Sequence, residues 1–138
     1  MRRAACIALA AALAWALGGC GRETNHDVRA SIEQISSIAA EGALMADDVA
    51  RDRTKITYVR VHGEELSSQA EHEAEKLNDD PMDPALRARV QKAIGLAGEI
   101  GGGIDDLRVS PQDRQKAAQT KDDLQKWADE ARKLADSI

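Results

Sequence analysis

The sequence predicts an all-α fold, an antiparallel up-down four-helix bundle, on three observations. Apolar residues recur at alternating steps of three and four, the period of an amphipathic helix. Two proline-bearing breaks, Asn78–Pro84 and Ser110–Asp113, divide that pattern into segments of helix length. Aromatic residues make up 2% of the 138 positions and phenylalanine is absent. A core must then come from Ile, Leu, Val, Met and many Ala, which suits closely packed helices better than a β-sandwich.

Val28, Ile32, Ile35, Ala39, Gly42, Met45 and Val49 form the first apolar stripe, with Asn25 or Asp27 available to cap its helix. Ile56, Val59, Gly63, Leu66, Ala70 and Leu77 form the second. Between them, Arg51-Asp52-Arg53-Thr54-Lys55 is polar but holds neither Gly nor Pro. A turn here, with Thr54 as cap, gives two helices of about seven turns each. Without a turn, residues 27–78 form one continuous helix of about 75 Å and the molecule is a long helical hairpin. The turn is the expected outcome, because it yields four segments of matched length and helices beyond about 25 residues are uncommon outside coiled coils.

Asp83 followed by Pro84 reads as an N-cap and first helical residue, ahead of Leu86, Val90, Ala93, Ala97, Ile100, Ile104 and Leu107. Ser110 is expected to cap the last helix, with Asp113 near its positive end. Ala117, Leu124, Trp127, Ala131, Leu134 and Ile138 form the last stripe. Short loops between such stripes make neighbouring helices antiparallel. Only the cap chemistry recurs between the two proline-initiated starts, so no internal repeat is present.

Ahead of the helical region, residues 1–19 have the three parts of a secretion signal. Arg2 and Arg3 give a positive start, Ala4 to Leu17 an uncharged apolar run, and Gly18 and Gly19 small residues at its end. The run is shorter than the roughly 20 apolar residues that cross a bilayer. Leu17-Gly18-Gly19-Cys20 resembles the lipobox of bacterial lipoproteins, which is Leu, a small residue, Gly or Ala, then Cys. The resemblance covers these twenty residues alone. It implies cleavage between Gly19 and Cys20, diacylation of the Cys20 sulfur and acylation of the new amino group, palmitate being typical of such chains. Two or more acyl chains hold a protein stably at a membrane where one does so only marginally. Gly21 in place of Asp resembles cargo of the outer membrane, facing the periplasm of a Gram-negative cell; in a Gram-positive the same anchor means the cell surface. The expected organisation is a signal over 1–19, an acylated Cys and short tether over 20–26, and a helical domain over 27–138.

Removing residues 1–19 leaves 119 residues, one ordinary domain, and carries off two arginines and no acid, moving the formal net charge from −5 to −7. That balance argues against nucleic acid, which is bound through clustered Lys and Arg, and against an electrostatic hold on anionic lipid. Cys6 leaves with the signal, so the mature domain has neither a disulfide nor a thiolate metal site. Trp15 leaves too, and Tyr58 and Trp127 are the remaining aromatics, little with which to stack a haem, a flavin or a base. No cofactor is expected.

Gly95, Gly98, Gly101, Gly102 and Gly103 interrupt the cleanest stripe, each at a cost of up to about 1 kcal/mol relative to Ala. With Ile100 and Ile104 inward, Gly95, Gly98 and Gly102 share the outer face. There they form a groove for a partner or a second copy, or else mark a kinked or frayed helix tolerated for its apolar inner face. His62, Glu65, Gln69 and His72 fall at helical spacing on one side of the second helix, a ligand mixture that zinc or iron accepts. His62 and His72 lie about 15 Å apart along a helix and cannot share an ion, so any site needs help from Glu41 or Glu99. The di-iron pattern of ferritin-like bundles is not met, and a solvated helix edge is the expected state. Glu71, Glu73, Glu75, Asp79 and Asp80 make an acidic helix end that opposes the helix dipole, as a solvated terminus or a surface for a weakly bound cation or a basic partner. Trp127 is expected to pack on the core with its indole N–H at the bundle edge.

No nucleophile elbow, phosphate loop or haem-attachment motif occurs, and no enzyme is expected. The expected function is that of a membrane-anchored envelope lipoprotein with a non-enzymatic interaction or structural role, binding an envelope protein partner. The alternative is a sequestering module, either a metal or ligand binder or a toxin-neutralising inhibitor of the immunity kind.

Overall fold

A computed structural model describes residues 25–79 and 83–138, and the signal, Cys20 and the tether to Thr24 lie outside it. The described residues form four helices, α1 (Asn25–Ala50), α2 (Ile56–Asp79), α3 (Pro84–Val109) and α4 (Arg114–Asp136). Their 26, 24, 26 and 23 residues give matched rods of roughly 35–39 Å. They run up and down as an antiparallel bundle in which α1 packs most extensively on α4 and α2 on α3. The diagonal between α1 and α3 is closed, and α2 and α4 stand apart at opposite corners.

The chain turns after α1, so the continuous-helix alternative is overturned. Asp52 adopts a left-handed conformation with φ 57°. Its N–H donates to the Val49 carbonyl at 3.0 Å and the Arg53 N–H to the Asp48 carbonyl at 2.8 Å. This is the Schellman pair that closes a helix end, built on an aspartate where glycine is usual. Aspartate tolerates the left-handed region better than most residues. The Asp47 carboxylate accepts from both Arg51 Nε at 3.1 Å and Arg53 Nη2 at 2.8 Å, clasping the turn. Thr54 is not the cap of α2: the first helical carbonyl is that of Lys55, which accepts from Val59 N–H.

Asp83 caps α3 by accepting from Ala85 N–H, with Pro84 at the first helical position. Asp113, not Ser110, caps α4, accepting from Lys116 N–H at 2.9 Å. Ser110 instead ends α3, its N–H bonded to the Asp106 carbonyl. Two turn residues separate the two caps, so the serine is spent on the outgoing helix. Asn25 and Asp27 both lie within the described part of α1 rather than ahead of it. Near that end Arg29 pairs with Glu33 and reaches Asp136 of α4 at 3.6 Å. The hydrogen bond that Arg29 donates to Glu33, then the charges of Glu33 and Asp136, raise the guanidinium pKa.

The stripes of α1 and α3 are buried throughout, from Val28 to Val49 and from Leu86 to Leu107. On α2, Ile56 is exposed at the bundle end while Val59, Leu66, Ala70 and Leu77 are buried. On α4 the buried seam is Ala117, Thr120, Leu124, Ala128, Ala131 and Ala135, and Trp127, Leu134 and Ile138 pack at its flanks. The seam is narrow because α1 approaches closely: Ser36 Oγ donates to the Ala128 carbonyl across the interface at 2.8 Å, fully away from water. Gly42 sits where a Cβ would lie 3.1 Å from the Ile104 side chain and 3.3 Å from Leu124. Its missing side chain lets α1 meet α3 and α4 at once. No described helix is long and apolar enough to cross a membrane.

Candidate functional site

Cys20 and the Gly19–Cys20 cleavage position lie outside the described residues, so the lipobox is a matter of sequence alone. The other candidates have definite places. Gly95, Gly98 and Gly102 face outward from an unbroken α3, and a Cβ at any of them meets nothing within 4 Å. The remaining two glycines face neighbours: a Cβ on Gly101 would lie 3.7 Å from Ser67 Oγ, and one on Gly103 only 3.1 Å from the Trp127 ring. The five-glycine run thus divides into an outer strip and an inner pair. Trp127 rests on the space that Gly103 leaves open.

His62 and His72 do not meet. His62 projects from α2 toward α1, where its Nε2 lies 2.9 Å from a Glu41 carboxylate oxygen. Its Nδ1 lies 3.7 Å from Glu65, one turn on. The Tyr58 ring stacks on the imidazole with centroids 5.0 Å apart and planes inclined by 27°. Nε2 is buried and makes no aligned hydrogen bond, since the Glu41 oxygen is near but off the N–H direction. Of the two acids named beside the histidines, Glu41 is the one in contact with His62.

His72 lies two to three turns away, in a groove of about 260 Å³ between α1 and α2 lined by Gln34, Ser68, Gln69 and Glu73. Glu73 is half-buried with one oxygen 3.7 Å from Lys76. Among the described residues no group of three or more His, Cys, Asp or Glu is placed to hold a metal ion. His62, Glu65 and His72 do not form one.

Side chains absent from the stripes supply a feature the spacing of the candidates did not reveal. Leu44 is 70% exposed on α1, and Tyr58 and Val61 are 50% and 65% exposed on α2. The Glu41–His62 contact sets the antiparallel register of the two helices, which brings Leu44 level with Tyr58. Val61 is one turn from both Tyr58 and Glu65. The exposed apolar residues Leu44, Tyr58 and Val61 are thus interleaved with Glu41, His62 and Glu65 on the outer side of α1 and α2. Each of the three apolar residues falls off its helix's stripe, and that was the available signal. No family model, curated protein or solved structure matches the chain.

Proposed function

We propose that the chain is a membrane-anchored lipoprotein of the bacterial envelope whose helical bundle has a non-enzymatic interaction or structural role. The observation that carries this reading is Leu17-Gly18-Gly19-Cys20 at the end of an apolar run that begins with two arginines. From Cys20 to the start of α1 at Asn25 the chain reaches at most about 18 Å. The end of the bundle holding the start of α1, the α2–α3 loop and the chain terminus then faces the bilayer. The turns at 51–55 and 110–113 point away from it.

The test is metabolic labelling with a radioactive fatty acid, followed by fractionation of cells making the wild-type chain and Cys20→Ser. The wild type should carry label and sediment with membranes, while Cys20→Ser should be unlabelled and leave the membrane fraction. An unlabelled wild type, or a variant that stays with the membrane as before, would overturn the reading.

A further inference from the structure

We propose that the outer face of α1 and α2 around Leu44, Tyr58 and Val61 docks a basic amphipathic helix of a partner protein. This deepens the interaction role proposed above and rests on it. The mature chain has two aromatic residues, and the fold places one of them, Tyr58, on the surface rather than in a core otherwise starved of large side chains. Exposed aromatics in apolar surroundings are what interfaces use as anchors. Leu44 extends the exposed apolar set toward α4, where Ala40, Ala43 and Ala128 line a groove of about 400 Å³. Gln125, Asp129 and Arg132 form the polar edge of that groove.

The two carboxylates beside His62 carry charge of one sign, while Arg132 at the α4 end is paired with Asp129 at 3.8 Å. Glu41 and Glu65 are 54% and 63% exposed, and among the described residues neither pairs with a Lys or Arg; their shared neighbour is His62, and Glu65 also accepts from Gln69 at 3.5 Å. Most acids nearby are already matched, Asp47 and Asp48 by Arg53 and Glu64 by Arg108. Two carboxylates with no described Lys or Arg partner, set on either side of one imidazole and next to a tyrosine face, present what a guanidinium or ammonium group seeks. It can bridge the carboxylates and lie over the ring. A helix carrying Leu on one face and Lys or Arg along its edge satisfies both the apolar and the acidic residues at once. A second copy of this acidic chain would set like charges against Glu41 and Glu65, which counts against self-association here.

The experiment uses the mature chain, residues 20–138, with Cys20→Ser to leave out the lipid and its helicity checked by circular dichroism. The probes are two synthetic 18-residue amphipathic helices of Leu and Lys, or of Leu and Glu. Saturable binding of the Lys peptide is expected, with NMR shift changes centred on residues 41–44 and 58–65. Tyr58→Ser should weaken it about tenfold or more without changing the melting temperature, because the residue is half exposed. Glu41→Gln with Glu65→Gln should weaken it comparably, and the Glu peptide should not bind. Absence of saturable binding, equal binding of both peptides, shifts centred on the Glu71–Asp79 end, or a concentration-dependent change at residues 41–44 and 58–65 without peptide would each overturn the proposal. Such a failure would leave the acylation result standing.

Discussion

Gly42 on α1 and Gly98 on α3 are both interior positions of 26-residue helices, and each costs its helix about 1 kcal/mol relative to alanine. At Gly42 the cost is offset by packing, since a Cβ would press on Ile104 and Leu124 at 3.1 and 3.3 Å. At Gly98 no described residue lies within 4 Å, and nothing among the described residues offsets the cost. The same contrast holds between Gly103, beneath Trp127, and the open pair Gly95 and Gly102. The lesson is that a helical glycine is informative about a fold only together with what its absent side chain would touch. The inner glycines set how closely the helices approach, whereas the outer strip is not required by the packing described.

The strongest way to break the comparison is Gly42→Leu. It forces four carbons into a filled seam and should cost about 3 kcal/mol or more in chemical denaturation, or abolish the cooperative transition. A variant as stable as the wild type would mean that α1 and α3 are not in close contact there. The triple variant Gly95→Ala, Gly98→Ala, Gly102→Ala should move the other way, stabilising by about 2–3 kcal/mol with a corresponding rise in melting temperature. A loss of stability would place those positions against something rather than in open space.

Two smaller effects sharpen the picture. Gly103→Ala should cost up to about 1 kcal/mol and shift Trp127 emission to the red, as the ring is pushed outward from its 3.1 Å contact. The buried serines of α1 should separate as the glycines do. Ser36→Ala loses a hydrogen bond and leaves the Ala128 carbonyl without it, costing about 1 kcal/mol. Ser31→Ala removes a buried hydroxyl that has no hydrogen-bond partner and should be neutral or stabilise by a few tenths of a kcal/mol. Paired melts of the two variants check this directly.

What could be read in advance follows from what periodicity determines. The stripes of α1 and α3 were legible because a helix that packs on one side buries one residue in every turn, and both runs have apolar residues to fill each turn. The outward placement of Gly95, Gly98 and Gly102 followed from Ile100 and Ile104 pointing inward, whereas spacing named Glu41 and Glu99 alike and did not choose the one that meets His62. Periodicity does not say how close two helices come. That is why Ala128 and Ala135, rather than the larger Trp127 and Leu134, occupy the α4 seam: α1 lies too near for the larger side chains. Nor does it choose between polar residues at a boundary. Ser110 and Asp113 are both good caps, and the two-residue turn between them decides which helix each serves. Asp52 carried no glycine signal for the left-handed turn it makes. Leu44, Tyr58 and Val61 were visible as large apolar residues off the stripes, but their grouping needed the register between α1 and α2.

The proposed lipid attachment is tested most directly by the mass of the N-terminal peptide of the protein extracted from membranes. The account predicts a peptide that begins at Cys20 and carries the mass of a diacylglycerol group, with a further acyl chain on its amino nitrogen where the host adds one. An unmodified peptide, or one that begins anywhere other than Cys20, would contradict it.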